Sequence, residues 1–218
     1  MTRNEVELNY SKLLPILGNV FKTAPLFFPL CEDSEYYGLF ADVSQAEFQK
    51  SLDDFMFRNN AEWSISGYLE NRATILKDYP QMVTEGRYYH LGIDINAPCG
   101  TKLYAPHNCE VVMSKYEEGA GNYGGVIILK CKKEETPFYM LFGHLNPDKL
   151  PPAGTHLKKG DAFAEYGNME QNGSWYYHTH LQILTQKAFD DGWENKGYCT
   201  KDEIATLNDY CPNPFLFI

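Results

Sequence analysis

Two histidine-bearing stretches, far apart in the chain, constrain what it can fold into. Tyr88–Ile95 reads YYHLGIDI and carries His90 and Asp94; His178 and His180 sit in YYHTHLQIL, with His144 of LFGHL between the two stretches. Imidazoles and a carboxylate are donors that a transition-metal site draws on, and a catalytic zinc takes three protein ligands and leaves its fourth position to water. If these side chains serve one ion, the fold must bring positions ninety residues apart onto one spot.

Local geometry sharpens the requirement. Positions four apart on an extended strand lie roughly 13 Å from each other, too far for two side chains to meet on one ion with bonds of ~2 Å. His90 and Asp94 therefore share a metal only if the chain bends between them, and Gly92, midway, tolerates the backbone angles a bend needs. Positions two apart on a strand point the same way, about 7 Å apart, so His178 and His180 face one site together. The same alternation puts Gln182 on that face and Thr179, Leu181 and Ile183 on the other, the pattern of a half-buried strand with a polar, functional side.

The texture of the chain changes at residue 86. Short strands are predicted at about 89–95, 101–104, 109–115, 124–131, 137–143, 161–166 and 178–185, separated by Pro, Gly and Asn clusters, which implies a mainly β, antiparallel sheet or sandwich core. GAGNYGG, residues 119–125, lacks a G-K-[ST] and does not open a helix, so it reads as a hairpin turn beside the cleft rather than a phosphate cradle. Ahead of this core, residues 1–85 read as an attachment with helices. Ser44 and Glu47 form a capping box, and Phe48, Leu52, Phe55 and Met56 recur at helical spacing, which predicts a helix over about 45–58 with its apolar face on the sheet. Residues 187–218 read as a packed extension. Thr200 and Glu203 repeat the capping pattern before a short helix near 201–208, Pro212 and Pro214 stop it, and the closing Leu216–Ile218 is expected to be tucked in.

With H-x-x-x-D inside HLGID, a later GHL and a terminal H-x-H, in that order, the stretch from about 86 to 185 resembles the lysostaphin or LytM type of zinc metalloendopeptidase, enzymes that cut cell-wall peptides. The words between the motifs, APCGTKLYAP, GNYGGVIIL and LKKGDAFAEYGN, are similar too. The resemblance implies a lysostaphin-type β core and a Zn2+ ion held by His90, Asp94 and His180. It implies His178 and His144 as the catalytic pair, His178 as general base and His144 as a hydrogen-bond donor to the oxyanion. Its substrate would be a peptide, such as a peptidoglycan stem or cross-bridge. In some enzymes of this type an upstream segment lines or blocks the cleft, which brings in Asn71 or Glu70; the alternative for that stretch is a packed loop whose Arg72 pairs with a nearby acid. Asn71, Tyr88 and Gln182 are the residues expected at the substrate. His107 and His156, in turns, are expected at the surface and outside the site.

Composition narrows the rest. A formal net charge of -10 on 218 residues excludes the basic footprint of a nucleic-acid binder. No apolar run approaches the ~18 residues of a membrane span. Glu5, Glu7 and Pro15 break up any export signal, so the sequence as it stands reads as cytoplasmic, or as periplasmic or extracellular if a signal has been removed. The six cysteines have no C-x-x-C spacing and are expected mostly as buried free thiols, with a Cys199–Cys211 bridge if the protein is exported. Two other functions fit the same residues: a non-catalytic binding or regulatory module, and a zinc peptidase or amidase acting on a non-wall peptide.

Overall fold

The computed structural model describes Met1–Ile218, and its centre is an eight-stranded sheet. In spatial order the strands are β1 (Leu26–Phe27), β2 (Ser64–Ser66), β4 (Gly92–Asn96), β11 (His178–Thr185), β8 (Thr136–Leu145), β7 (Gly124–Lys133), β6 (Cys109–Glu117) and β9 (His156–Leu157). β1 and β2 run parallel; every other neighbouring pair is antiparallel. Two small ribbons lie beside it: β3 (Tyr89–His90) pairs with β12 (Tyr198–Cys199), and β5 (Lys102–Tyr104) with β10 (Ala162–Glu165). The fold is mainly β around a large antiparallel sheet, as the spacing of the apolar runs predicts.

Sequence explains which strands are central. In β8 and β11 nearly every residue is buried on both faces: FYMLFGHL reads as an almost unbroken apolar run, while the alternating HTHLQIL, expected to be half-buried, has its polar face covered as well. Ile93, Ile95, Met140, Phe142, Leu181 and Ile183 are fully buried in one continuous core, each contributing ~1.5–3 kcal/mol of transfer free energy. No helix is long and apolar enough to cross a membrane.

The helices that precede the core are α1 (Arg3–Asn9), α2 (Tyr37–Phe40), α3 (Gln45–Arg58), α4 (Ala73–Leu76) and α5 (Pro80–Glu85); α6 (Gln186–Asp190) and α7 (Leu207–Tyr210) follow it. α3 has the capping box that Ser44 and Glu47 predict, but its apolar face does not lie on the sheet. Phe48, Leu52 and Met56 instead pack with Phe28, Leu30, Phe40 and Tyr176 into a second, smaller core. From that position Gln49 Oε1 accepts a hydrogen bond from Tyr177 N at 2.5 Å, and Gln45 Oε1 accepts one from Tyr176 N at 3.3 Å. The helix thus holds the residues that lead directly into His178.

Other expectations are corrected. Cys109 and Cys131 are not free thiols: they stand opposite each other at the paired ends of β6 and β7, Cα atoms 4.7 Å apart, and form a disulfide. Cys199 and Cys211 are free and buried, Cys31 is half-buried and Cys99 exposed. At the C-terminus Thr200 and Glu203 cap a 3-10 turn, Asp202–Thr206, ahead of α7. In the tail Pro214 and Phe215 are buried and Phe217 and Ile218 pack against the core as expected, whereas Leu216 is 59% exposed. The stretch before Arg72 is not simply a loop, because Ser64–Ser66 adds β2 to the sheet beside β4 and pairs Ser66 with Asp94.

Candidate metal centre

Register builds the site. His180 on β11 is the direct cross-strand partner of Asp94 on β4, and such pairs bring Cβ atoms to ~4.5–5.5 Å. His90 comes from the separate ribbon β3, whose partner is Tyr198, and the chain turns out of line at Leu91 between β3 and β4. This is the bend that the four-residue spacing requires. Gly92 is not in the left-handed region and contributes otherwise. A Cβ there would stand 2.6 Å from Leu181 O and 2.8 Å from His180 Cε1, so the glycine lets the His180 ring close on the site.

Three ligand atoms converge. His90 Nε2 lies 2.8 Å from His180 Nδ1 and 3.2 Å from Asp94 Oδ1, and His180 Nδ1 lies 3.3 Å from the same oxygen. All three residues are buried. The atoms that do not converge are each anchored. His90 Nδ1 donates to Gly67 O at 2.8 Å, and His180 Nε2 donates to Gln182 Oε1 at 2.9 Å. Asp94 Oδ2 accepts from Arg72 Nη1 at 2.5 Å and from Tyr176 Oη at 3.4 Å. With the protons of both imidazoles committed elsewhere, the facing nitrogens carry lone pairs. Two bare nitrogens and a carboxylate oxygen that close together repel one another unless a cation sits among them. Ligand atoms ~2.0–2.1 Å from a tetrahedral ion stand ~3.3 Å apart, close to the separations observed. The donor set therefore fits a divalent metal, with anchoring partners of the kind that orient metal ligands.

The surrounding charges favour the metal-binding protonation states. Burial alone would raise the Asp94 carboxyl, but the Arg72 guanidinium and then His90 and His178 hold it well below the usual carboxylate range. Burial and Arg72 push His90 down to about 3, leaving it neutral. Arg72 is itself 1% exposed and also donates from Nε and Nη2 to Glu70 Oε2, at 3.2 and 3.0 Å. Glu70 accepts further bonds from Leu30 N and Gly67 N, while burial raises its carboxyl.

Beside the ligands stand His178 and His144, their rings 4.3 Å apart. His178 shares the β11 face of His180, with Nε2 3.8 Å from Asp94 Oδ1. Its Nδ1 donates to Tyr176 O at 2.9 Å and its ring stacks on Tyr176. Burial lowers it to about 4, so it is a neutral base with Nε2 bare. His144 has a left-handed backbone, φ 65°, where the β7–β8 register slips near Gly125 and Ile127. A bulge of this kind re-aims a side chain, and the strain it stores is found at functional positions. His144 Nδ1 donates to Asn172 O at 2.8 Å and burial holds its pKa well below the usual value, so its free nitrogen accepts rather than donates.

Arg72, Asp94, His144, His178 and His180 face one narrow cavity of about 60 Å³, walled by Ile75, Met82, Tyr123, Trp175 and Tyr198. The residues expected at the substrate do not themselves line this cavity. Asn71 is exposed, accepts from Ala73 N and borders a separate depression with Cys31 and Asp33. Tyr88 packs with Leu76, Met82 and Trp175 and donates to Val83 O. Gln182 is wholly buried between His180 and Cys211 Sγ, where it orients the His180 ring and meets no solvent-facing space. Glu70 and Asn71 leave the ligand set open. His156 is exposed, whereas His107 is half-buried edge-on to Phe138.

Residues 88–191 match the model of peptidase family M23. The matched stretch is 104 of the 218 residues, just under half of the chain. M23 is a family of metallopeptidases acting on peptidoglycan peptides, and its lysostaphin and LytM members are the ones the motifs resemble. No curated protein matches the chain. Among solved structures, a zinc-containing peptidase from Vibrio cholerae is 23% identical over 45% of this chain and 28% of its own, TM-score 0.37. The catalytic domain of the prophage-encoded M23 protein EnpA from Enterococcus faecalis is 20% identical over 52% of this chain and 77% of its own, TM-score 0.37. The catalytic domain of lysostaphin from Staphylococcus simulans is 18% identical over 56% of this chain and 80% of its own, TM-score 0.38.

Proposed function

We propose that residues 88–191 form an M23 peptidase domain, a zinc-dependent endopeptidase that hydrolyses peptide bonds in peptidoglycan-type or glycine-containing peptides. The observation that carries this reading is the meeting of two bare imidazole nitrogens and a carboxylate oxygen beside a second, non-ligating pair of histidines. Two imidazoles and a carboxylate are a zinc donor set that leaves one position for substrate and water. Zinc held there supplies Lewis acidity, polarising the scissile carbonyl and activating water near neutral pH.

The chain's own groups do the rest. His178 Nε2, bare and neutral, takes a proton from the attacking water and delivers it to the leaving amine. Its Nδ1 bond to Tyr176 O fixes the tautomer that makes this possible and steadies the imidazolium that forms. His144 offers a second acceptor at the same place, through which the water is oriented. As an oxyanion donor, the role its resemblance implies, it would need a second proton, and its burial opposes that. Arg72 and Tyr176 keep Asp94 ionised and turned toward the two histidines.

The test is mass spectrometry of muropeptides and oligoglycine peptides incubated with zinc-loaded protein, alongside metal analysis of Asp94→Ala and His178→Ala. Defined products are expected from the unmutated chain. Metal is lost in the Asp94 variant and kept in the His178 variant, whose turnover falls ~10²-fold or more. Fully loaded protein that cleaves no peptide at any pH would make the domain a binding module instead, and products cut between glycan and peptide would make it an amidase.

A further inference from the structure

The residue the mechanism lacks is a hydrogen-bond donor for the scissile carbonyl oxygen. The free nitrogens of His144 and His178 accept, because each Nδ1–H is committed to a backbone carbonyl. Three other residues with donors near the site are engaged. Tyr176 Oη serves Asp94, Trp175 Nε1 serves Asn122 O, and Arg72 serves Asp94 and Glu70.

Tyr123 is not engaged: the Tyr198 hydroxyl on the same cavity is met by Arg72, but that of Tyr123 is buried with nothing to meet it. It lies in the GNYGG turn between β6 and β7, is 8% exposed and lines the cavity, yet its hydroxyl has no partner in the protein. A buried hydroxyl without a partner carries its desolvation penalty uncompensated, so most are satisfied. The ring's place is built rather than incidental. Two glycines from other segments leave room for it: a Cβ on Gly143 would stand 2.5 Å from Tyr123 Cδ1, and one on Gly197 would stand 2.9 Å from Tyr123 Oη. The ring centroid lies 5.5 Å from that of His180 and 5.7 Å from that of His144, between a metal ligand and the proton-handling pair. Tyr123 O accepts from His144 N at 2.8 Å, so the turn that carries the phenol is tied to the bulge that carries the histidine.

We propose that Tyr123 is a further catalytic residue, whose phenol O–H donates to the carbonyl oxygen of the scissile bond and to the oxyanion that develops there. The proposal rests on the hydrolase reading above. As water adds to the carbonyl carbon, a C–O bond forms and the π pair of the C=O moves onto oxygen. Tyr123 hydrogen-bonds that oxygen and keeps its own proton. On collapse the C–N bond breaks and the amine leaves with the proton held by His178. Burial, first, and Glu117 keep the phenol well above its usual pKa and so a donor at any working pH.

The experiment is Tyr123→Phe, which removes one oxygen and keeps the ring in its glycine-lined slot. Zinc content, the unfolding midpoint and steady-state kinetics are measured on a peptide that the unmutated protein cleaves. Zinc content is expected to be unchanged and the midpoint unchanged or higher, with kcat down ~10²–10³-fold and KM little changed, the signature of a lost oxyanion donor. A kcat within threefold of the unmutated protein overturns the proposal and leaves the hydrolase reading standing. So does a loss that appears wholly in KM, or one that tracks lost zinc. Unmutated protein that cleaves nothing overturns both.

Discussion

Replacing Arg72 by Met should cost more stability than almost any other single change in the chain, and by an amount that depends on metal. The guanidinium is 1% exposed and bridges two buried carboxylates, Asp94 Oδ2 at 2.5 Å and Glu70 Oε2 at 3.0 Å. Removing one partner of a buried ionic group leaves an uncompensated charge and costs ~3–5 kcal/mol, about 10²–10⁴ in the folding equilibrium. For a chain of this size that is a fall in melting temperature of roughly 6–20 °C.

The two carboxylates can be separated experimentally. In chelator, Arg72→Met strands both Asp94 and Glu70, and the full loss is expected. With zinc in excess, the ion's charge beside Asp94 replaces the arginine's, so the loss shrinks to the part owed to Glu70. Adding Glu70→Gln removes the stranded anion, and the double variant should melt above Arg72→Met alone. The assay is thermal unfolding of the three proteins in chelator and in zinc. A single variant melting within ~2 °C of the unmutated chain in chelator would refute the reasoning, as would a loss of equal size with and without metal.

Gln182→Leu frees the far nitrogen of His180 and should weaken zinc ~10–100-fold in a chelator competition; an unchanged affinity would remove the glutamine from the ligand's support. Gln49→Leu leaves Tyr177 N unpaired under α3, so urea unfolding should show a loss of ~1–3 kcal/mol, together with slower turnover as the approach to His178 loosens. His107 is held below the usual imidazole range by burial, then by Lys159, so it is neutral when folded and binds a proton on unfolding. Its contribution is present above pH ~6.5 and lost as pH falls below that value, and His107→Leu should flatten the acid limb of the stability profile.

Alternation along the chain made β11 readable to the residue, and made the shared face of His178, His180 and Gln182 readable with it. The four-residue gap between His90 and Asp94 requires a bend on spacing alone. What escaped depends on contacts across segments, which no local period encodes. Arg72 is expected near an acid, but that the acid is Asp94 follows only from Ser66 pairing with Asp94. Gln182 was on the right face, yet the far nitrogen of His180 and the Cys211 sulfur enclose it, so it cannot meet a substrate. Tyr123 passed as a turn residue because its role comes from two glycines, twenty and seventy-four positions away, that make its slot. The Cys109–Cys131 bridge likewise needed the β6–β7 register.

The residues ahead of Tyr88 contribute to the centre. Gly67 O sets the tautomer of His90, Arg72 fixes the ionisation and direction of Asp94, and Gln49 and Gln45 hold the chain that enters His178. Each of these acts on a different residue of the site, and each comes from before residue 88. The ligands alone would bring three acceptors together with nothing to decide which imidazole nitrogen carries the proton or which carboxylate oxygen faces inward. β2, lying against β4, supplies that decision: Ser64 and Ser66 share Asn96 by hydrogen bonds, and the turn that follows delivers Gly67, Glu70 and Arg72 to the same end of the sheet. The ninety-residue separation of His90 and His180 is thus closed by two strands, but the chemistry of the pair is set by a third.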